Sequence, residues 1–297
     1  MGGGTFGQQK AYWRGQKAWG NRTQVQYGAY HHSADGFGEL LNNTTGGFKL
    51  QDWYFKVVHH LDDKDRHHLH WFSAATRERS EQTYLGTTLE DAIERPSLRY
   101  LASANDQMDM DRLMNRLGYT LNFNQGFLRA DLYRQYVHRN WYKLDKVNGQ
   151  GITSVLQQPT DYPVEFLAIQ GVYSDTALAT LKANNRYYIS QGLQLRGQWS
   201  QRLERNILKH EAGLRFQYDH ADRFQHSDSY SIVGAQMALQ SHGAAGAAGN
   251  WIDATSAASG YYRTTWTRGS WKVQAGGRSE FIFASREDRS EEHTSEL

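Results

Sequence analysis

From Arg186 to Ser200 the chain alternates strictly. Tyr187, Ile189, Gln191, Leu193, Leu195, Gly197 and Trp199 fall on one face of an extended chain, and Arg186, Tyr188, Ser190, Gly192, Gln194, Arg196, Gln198 and Ser200 on the other. A strand in a soluble sheet usually runs about 5–6 residues, so an alternation spanning fifteen residues calls for a longer one. The pattern recurs. Leu113, Leu117, Tyr119, Leu121 and Phe123 oppose Arg112, Arg116 and Asn122; Leu208, Ala212, Leu214, Phe216 and Tyr218 oppose Lys209, Glu211, Arg215 and Gln217. Trp53, Phe55, Val57 and Leu61 oppose Asp52, Lys56 and His60, and Trp271, Val273, Ala275, Phe281 and Phe283 oppose Lys272, Gln274, Arg278 and Glu280.

The connections between these runs decide the architecture. Short polar turns are predicted near Gly20-Asn21, Asp62 to Arg66, Asn124 to Gly126, Arg202 to Asn206 and Arg268 to Ser270. Long irregular segments are predicted over Phe37 to Gly47, Ser80 to Asp106, Trp141 to Asn185 and Phe224 to Ala258. A soluble sandwich has no reason to gather its long loops at one end. A transmembrane β-barrel does, with short periplasmic turns, long extracellular loops, apolar residues towards lipid and polar ones towards the lumen. The spacing predicts about ten strands between Thr5 and Phe283. Tyr187, Trp199, Tyr218, Trp266 and Trp271 then read as interfacial girdle residues. Arg134, His59 and His210 depart from the apolar face, and they are expected near an interface, where the penalty for charge falls to about 0–1 kcal/mol.

Composition is compatible with this reading. The chain has 297 residues, 33 Lys plus Arg against 31 Asp plus Glu, and no cysteine, with a mean hydropathy of −0.76. Near-neutrality argues against a dedicated nucleic-acid binder, and the lack of cysteine removes disulfides and thiolate metal sites. A hydrophilic average suits a barrel, because half of each strand and all the loops face water. No apolar run is long enough for a membrane-spanning helix, and MGGGTFGQQKAYWRG lacks the apolar core of a signal peptide. The final nine residues, RSEEHTSEL (Arg289 to Leu297), resemble the translation of a sequencing adapter and are set aside as a scar.

Several segments together resemble the TonB-dependent outer-membrane receptors, in their ferric-citrate and siderophore branch. They are HSADGF (His32 to Phe37), TYLGTTLEDAIERPSLRYLASANDQMDMD (Thr83 to Asp111), HRNWYKLDKVNG (His138 to Gly149), LKANNRYYISQGLQ (Leu181 to Gln194), HEAGLRFQYDHADRFQH (His210 to His226) and WKVQAGGRSEFI (Trp271 to Ile282). The resemblance implies an all-β fold in which residues 1–288 form about ten strands of a 22-stranded antiparallel barrel. The plug domain, the TonB-binding box and the closing strands are expected outside this stretch. It further implies a protein of the outer membrane of a Gram-negative bacterium that is not an enzyme. Its partners would be ferric citrate or a ferric siderophore, outer-membrane lipid and, through the plug, the TonB–ExbB–ExbD complex. A passive porin and a phospholipase-like barrel enzyme are the alternatives.

Anionic ferric complexes call for arginine, which gives bidentate, charge-assisted contacts to carboxylates. Alternation puts Arg139, Arg186, Arg196, Arg215 and Arg278 on lumen faces, and Arg139 and Arg186 nearest the extracellular rim. The competing expectation is that these arginines pair with Glu211, Asp219 or Glu280 on neighbouring strands. Thirteen histidines include the doublets His31-His32, His59-His60 and His67-His68. Adjacent strand residues point to opposite faces, so a doublet cannot chelate with both rings, and only pairs such as His68 and His70 share a face. That pair lies beside a periplasmic turn, and no metal site or cofactor is expected. Within the longest loop, Gln157 to Gly171 is expected to form a short helix starting at Pro163 and packing a small apolar core.

Overall fold

The computed structural model describes residues 1–40, 46–83, 85–173 and 175–289. The remaining positions, including residues 290–297 of the predicted scar, lie outside the described residues. The described chain forms one antiparallel sheet of 13 strands. In chain order these are β1 (Gly2–Gly3), β2 (Gln9–Trp19), β3 (Thr23–Ala34), β4 (Phe48–His60), β5 (His67–Ser80), β6 (Gln107–Phe123) and β7 (Gly126–Val147). There follow β8 (Gln150–Gly151), β9 (Ala177–Leu203), β10 (Asn206–Val233), β11 (Gln236–Ser241), β12 (Gly249–Arg268) and β13 (Trp271–Asp288).

Apart from the short β1, β8 and β11, each strand pairs with the next one along the chain, so the sheet is an up-and-down meander from β2 to β13. Tight turns at residues 20–22, 61–66, 124–125, 204–205 and 269–270 alternate with long connections at 35–47, 81–106, 148–176 and 234–248. All long connections therefore leave the sheet at one end. Among the described residues no helix is long and apolar enough to cross a membrane.

One face is apolar and exposed. Leu128, Leu132, Leu193, Leu214, Phe216 and Phe281 all lie open, Leu132 at 59 %. A broad concavity on this face is lined by Trp71, Leu117, Leu132, Leu193, Phe216 and Phe281, and it suits acyl chains rather than an anionic complex. Aromatic rings bound the face at both levels. Towards the tight turns, His210 stacks between Trp199 (5.3 Å) and Tyr262 (5.9 Å). Towards the long loops, Tyr187 meets Tyr136 at 6.2 Å and stacks on His138 at 4.3 Å. Trp199 and Tyr187 are twelve residues apart on β9. That is about 41 Å of strand and, at a barrel tilt of about 45°, about 29 Å along the membrane normal. The interval matches a hydrocarbon core of about 30 Å.

Two of the three departures from the apolar face lie where the girdle at the tight turns accommodates them. His59 Nδ1 meets Thr23 Oγ1 at 2.8 Å, and His210 Nδ1 meets the Tyr262 hydroxyl at 2.6 Å. Arg134 instead stands in register between Asn115 and Gln191, one outward position from Leu132, which pairs with Leu193 midway between the two aromatic levels. It therefore lies about 5 Å of height from the middle of the apolar band rather than at an interface.

Two long segments differ from expectation. Much of Trp141 to Asn185 and Phe224 to Ala258 is strand, because β7, β9 and β10 run far beyond the bilayer. These extensions are stabilised by a core of their own. Helix α1 (Leu89–Glu94) keeps Leu89 and Ile93 exposed and is tied down by the Tyr100 hydroxyl, which donates to Asp91 at 2.5 Å. Ala177, Ala179 and Leu181 of β9, Leu144 and Val147 of β7 and Ile232 of β10 instead pack against α2 (Ile152–Gln157), α3 (Pro163–Gln170) and the 3-10 turn Leu101–Ser103, with Leu101, Val155, Ala168 and Ile169 fully buried. Helix α3 starts at Pro163, as predicted, and ends on Gly171 at φ 83°. A Cβ at Gly171 would come within 2.6 Å of the Leu101 side chain, so glycine both ends the helix and lets the 3-10 turn approach.

Candidate ligand-binding site

The polar face carries the candidate residues. Register puts Arg139 of β7 directly opposite Arg186 of β9, and Arg186 directly opposite Arg223 of β10. Directly paired residues share a face with Cβ atoms about 4.5–5.5 Å apart, and like charges so placed destabilise a sheet. Lys143 and Lys182 face one another two outward-going pairs further towards the long loops. The row therefore opens a cationic strip. Arg139 is thirteen residues from Gly126 at the tight-turn end of β7, which is about 44 Å of strand and about 31 Å of height. The strip thus begins where the upper aromatic ring ends.

Few acids answer it. Arg223 has Asp253 at 3.6 Å, and its guanidinium lies 5.0 Å from the Trp251 ring. Arg186 donates to the neutral Asn184 Oδ1 at 2.8 Å and to the Tyr188 hydroxyl at 3.4 Å. Arg139 Nε is buried with no hydrogen-bond partner among the described residues. Arg186 is thus braced by neutral groups rather than neutralised.

The other predicted arginines do not join the row. Arg196 lies deeper, opposite Arg129, with its guanidinium 5.4 Å from the Phe127 ring. Arg215 donates to the Tyr133 hydroxyl at 3.1 Å and 3.3 Å from two strands away. Tyr133 reaches it across Gly192, where a Cβ would lie 2.7 Å from the Tyr133 oxygen and would also strike the Phe216 carbonyl. Arg278 pairs with Glu280 at 3.2 Å, two residues along its own strand β13 rather than across a neighbouring one. Glu211 takes Arg263 instead of a predicted partner, and Asp219 accepts from Gln217.

Arg223 was not among the predicted residues. Its signal was present: continuing the alternation of Lys209, Glu211, Arg215 and Gln217 by three more inward positions reaches Arg223. Deeper on the same face, Asp131 collects His70 at 2.8 Å, Arg129 at 2.7 Å and Arg116 at 3.8 Å, a closed ion cluster of the wall. His70 is therefore committed to Asp131 and does not converge with His68.

No model of a known protein family matches the sequence, and no curated protein matches it. Solved structures share its fold. The unliganded ferric citrate transporter FecA superposes with a TM-score of 0.67 at 14 % identity, over 96 % of this chain and 36 % of that one. The ferric preacinetobactin receptor BauA from Acinetobacter baumannii gives 0.65 at 8 % identity, over 95 % and 40 %. The siderophore receptor PiuA from the same organism gives 0.64 at 9 % identity, over 95 % and 45 %. The chain spans less than half the length of each.

Proposed function

We propose that residues 1–288 form part of the barrel wall of an outer-membrane receptor of a Gram-negative bacterium, a binder and importer of an anionic ferric complex rather than an enzyme. The observation that carries this reading is the row Arg139–Arg186–Arg223, three directly opposed cations with one nearby carboxylate. Such a row costs folding energy unless an anion occupies it. A ferric citrate or ferric siderophore, presenting several carboxylate or catecholate oxygens, satisfies the row with charge-assisted and bidentate hydrogen bonds.

The height of the row supports the same reading. A ligand arriving from outside meets the strip at the level of the upper aromatic ring, before the membrane interior. Lys143 and Lys182 extend the positive field towards the loops and favour capture of anions from solution. Import through a plugged barrel needs energy, which in this reading comes from the TonB–ExbB–ExbD complex acting on a plug outside the residues described. The exposed apolar face is covered by outer-membrane lipid.

The test is equilibrium binding to the intact receptor purified in detergent, read by quenching of intrinsic tryptophan fluorescence on titration with ferric citrate and with a ferric catecholate. Each charge-assisted hydrogen bond contributes about 1.5–3 kcal/mol. Replacing both Arg139 and Arg186 by alanine is expected to weaken binding of one of the two complexes at least tenfold, and unchanged affinity for both would contradict the assignment.

A further inference from the structure

The tight turn between β4 and β5 brings together three donor groups of the polar face. His60 and His68 are directly opposed in register, with ring centroids 5.6 Å apart. Asp65 adopts a positive φ of 54°, which swings its carboxylate back over the end of the hairpin. Its Oδ1 lies 2.6 Å from His60 Nδ1 and 3.8 Å from His68 Nδ1. The three donor atoms lie within 4.8 Å of one another.

The neighbouring groups are all engaged elsewhere. Asp62 accepts the backbone N–H groups of Arg66 at 2.8 Å and His67 at 3.0 Å and pairs with the Arg66 side chain. Asp63 pairs with Arg22. The other members of the two doublets point to the apolar face, where His59 meets Thr23 and His67 meets Tyr119. Asp65 joins the turn through its backbone, whose carbonyl accepts from Asn122 Nδ2 at 3.1 Å, and its carboxylate is directed at His60 and His68. At its centre His68 Nδ1 is buried and has no hydrogen-bond partner among the described residues.

We propose that His60, Asp65 and His68 bind a divalent metal ion of the zinc class at the lumenal mouth of this turn, with water completing a four-coordinate shell. Two imidazoles and one carboxylate suit Zn²⁺, whose bonds to nitrogen and oxygen are about 2.0–2.2 Å, so its donors stand about 3.3 Å apart. His60 and Asp65 then separate slightly from hydrogen-bond distance, and His68 closes slightly on Asp65. The ion gives the orphaned His68 Nδ1 a partner and clips the ends of β4 and β5 together. The site is independent of the arginine row at the opposite end of the wall.

The test uses the protein expressed without a histidine tag and purified in detergent. Zinc affinity is read by competition with a chromogenic chelator, and geometry by the visible absorption of the cobalt(II) form. Loss of an outer-shell partner typically costs about 10–100-fold in metal affinity, so removal of two ligands in His60→Ala/His68→Ala is expected to cost more than 100-fold. The double variant His59→Ala/His67→Ala, on the other face of the same strands, is expected to bind as the parent does. Asp65→Asn keeps an oxygen on the turn and is expected to fold and to bind at least tenfold more weakly. One equivalent of zinc and a four-coordinate cobalt spectrum support the site. Equal affinity in the His60/His68 and His59/His67 variants, or unaltered binding in Asp65→Asn, overturns it.

Discussion

Arg139 lies directly opposite Arg186 across the β7–β9 ladder, on the polar face. Arg223 continues the row on the far side of Arg186. A cross-strand pair of like charges opposes folding, whereas an opposite pair contributes roughly 0.2–1 kcal/mol. The central residue is therefore held against the interests of the wall, which points to a ligand.

The Arg186→Glu exchange separates the two roles. It converts two repulsive pairs into attractive ones and is expected to raise resistance to denaturant by about 0.5–2 kcal/mol. The same substitution puts a negative charge in the ligand's path and is expected to abolish binding of the ferric complex. Loss of stability together with retained binding would contradict the assignment.

The wall was readable from the sequence, and its extensions were less so. Alternation located the strands and the tight turns because Leu, Phe and Trp contrast strongly with Arg, Gln and Glu. Above the bilayer the alternating residues are Ala177, Ala179, Leu181 and Ala183. Small side chains give a weak signal, and what buries them, α2 and α3 in the preceding connection and the 3-10 turn at Leu101, follows from tertiary packing rather than from alternation. Stopping β10 too early hid Arg223. The opposition of His60 and His68 depends on the geometry of the intervening turn, which periodicity along one strand does not contain.

Lipid contact of the apolar face is directly measurable. Spin labels at Leu132, Leu193 and Phe216 are expected to be relaxed by oxygen, which partitions into lipid, and labels at Gln135, Gln194 and Gln217 by a water-soluble nickel chelate. Arginine at Leu193, near the bilayer midplane, is expected to cost about 2–4 kcal/mol. A reversed accessibility pattern would invert the proposed orientation of the wall.

Gly192 keeps open the path from Tyr133 to Arg215. Gly192→Val forces the added side chain into Tyr133 and the Phe216 carbonyl. Overpacking of this kind costs about 1–3 kcal/mol. Tyr133→Phe removes only the hydroxyl that accepts from Arg215 and is expected to cost about 1 kcal/mol. Both are measured by denaturant titration, and a Gly192→Val protein as stable as the parent would show that Gly192 is not there for clearance.

The loop core carries a buried acid. Burial lifts the Asp106 carboxyl from 3.8 to about 6, against hydrogen bonds from Thr83 and the Leu144 N–H and the nearby charge of Arg99. A carboxyl raised on folding releases its proton first in the unfolded chain. Its contribution therefore favours the fold most in acid, falls as pH rises from about 4 past 6, and then levels off, by at most about 3 kcal/mol in total. Exchange protection of the Leu144 amide, corrected for intrinsic rate, is expected to fall over that window, and Asp106→Asn to flatten the fall. Protection that rises with pH would contradict it.

The most direct test of the receptor reading is uptake of iron-labelled citrate or siderophore by cells carrying the intact receptor, with and without a functional TonB system. Saturable, TonB-dependent uptake is expected, with a half-saturation concentration that rises at least tenfold when Arg139, Arg186 and Arg223 are all alanine, as loss of several charge-assisted contacts requires. Uptake that is non-saturable, persists without TonB, or ignores the triple substitution would contradict it.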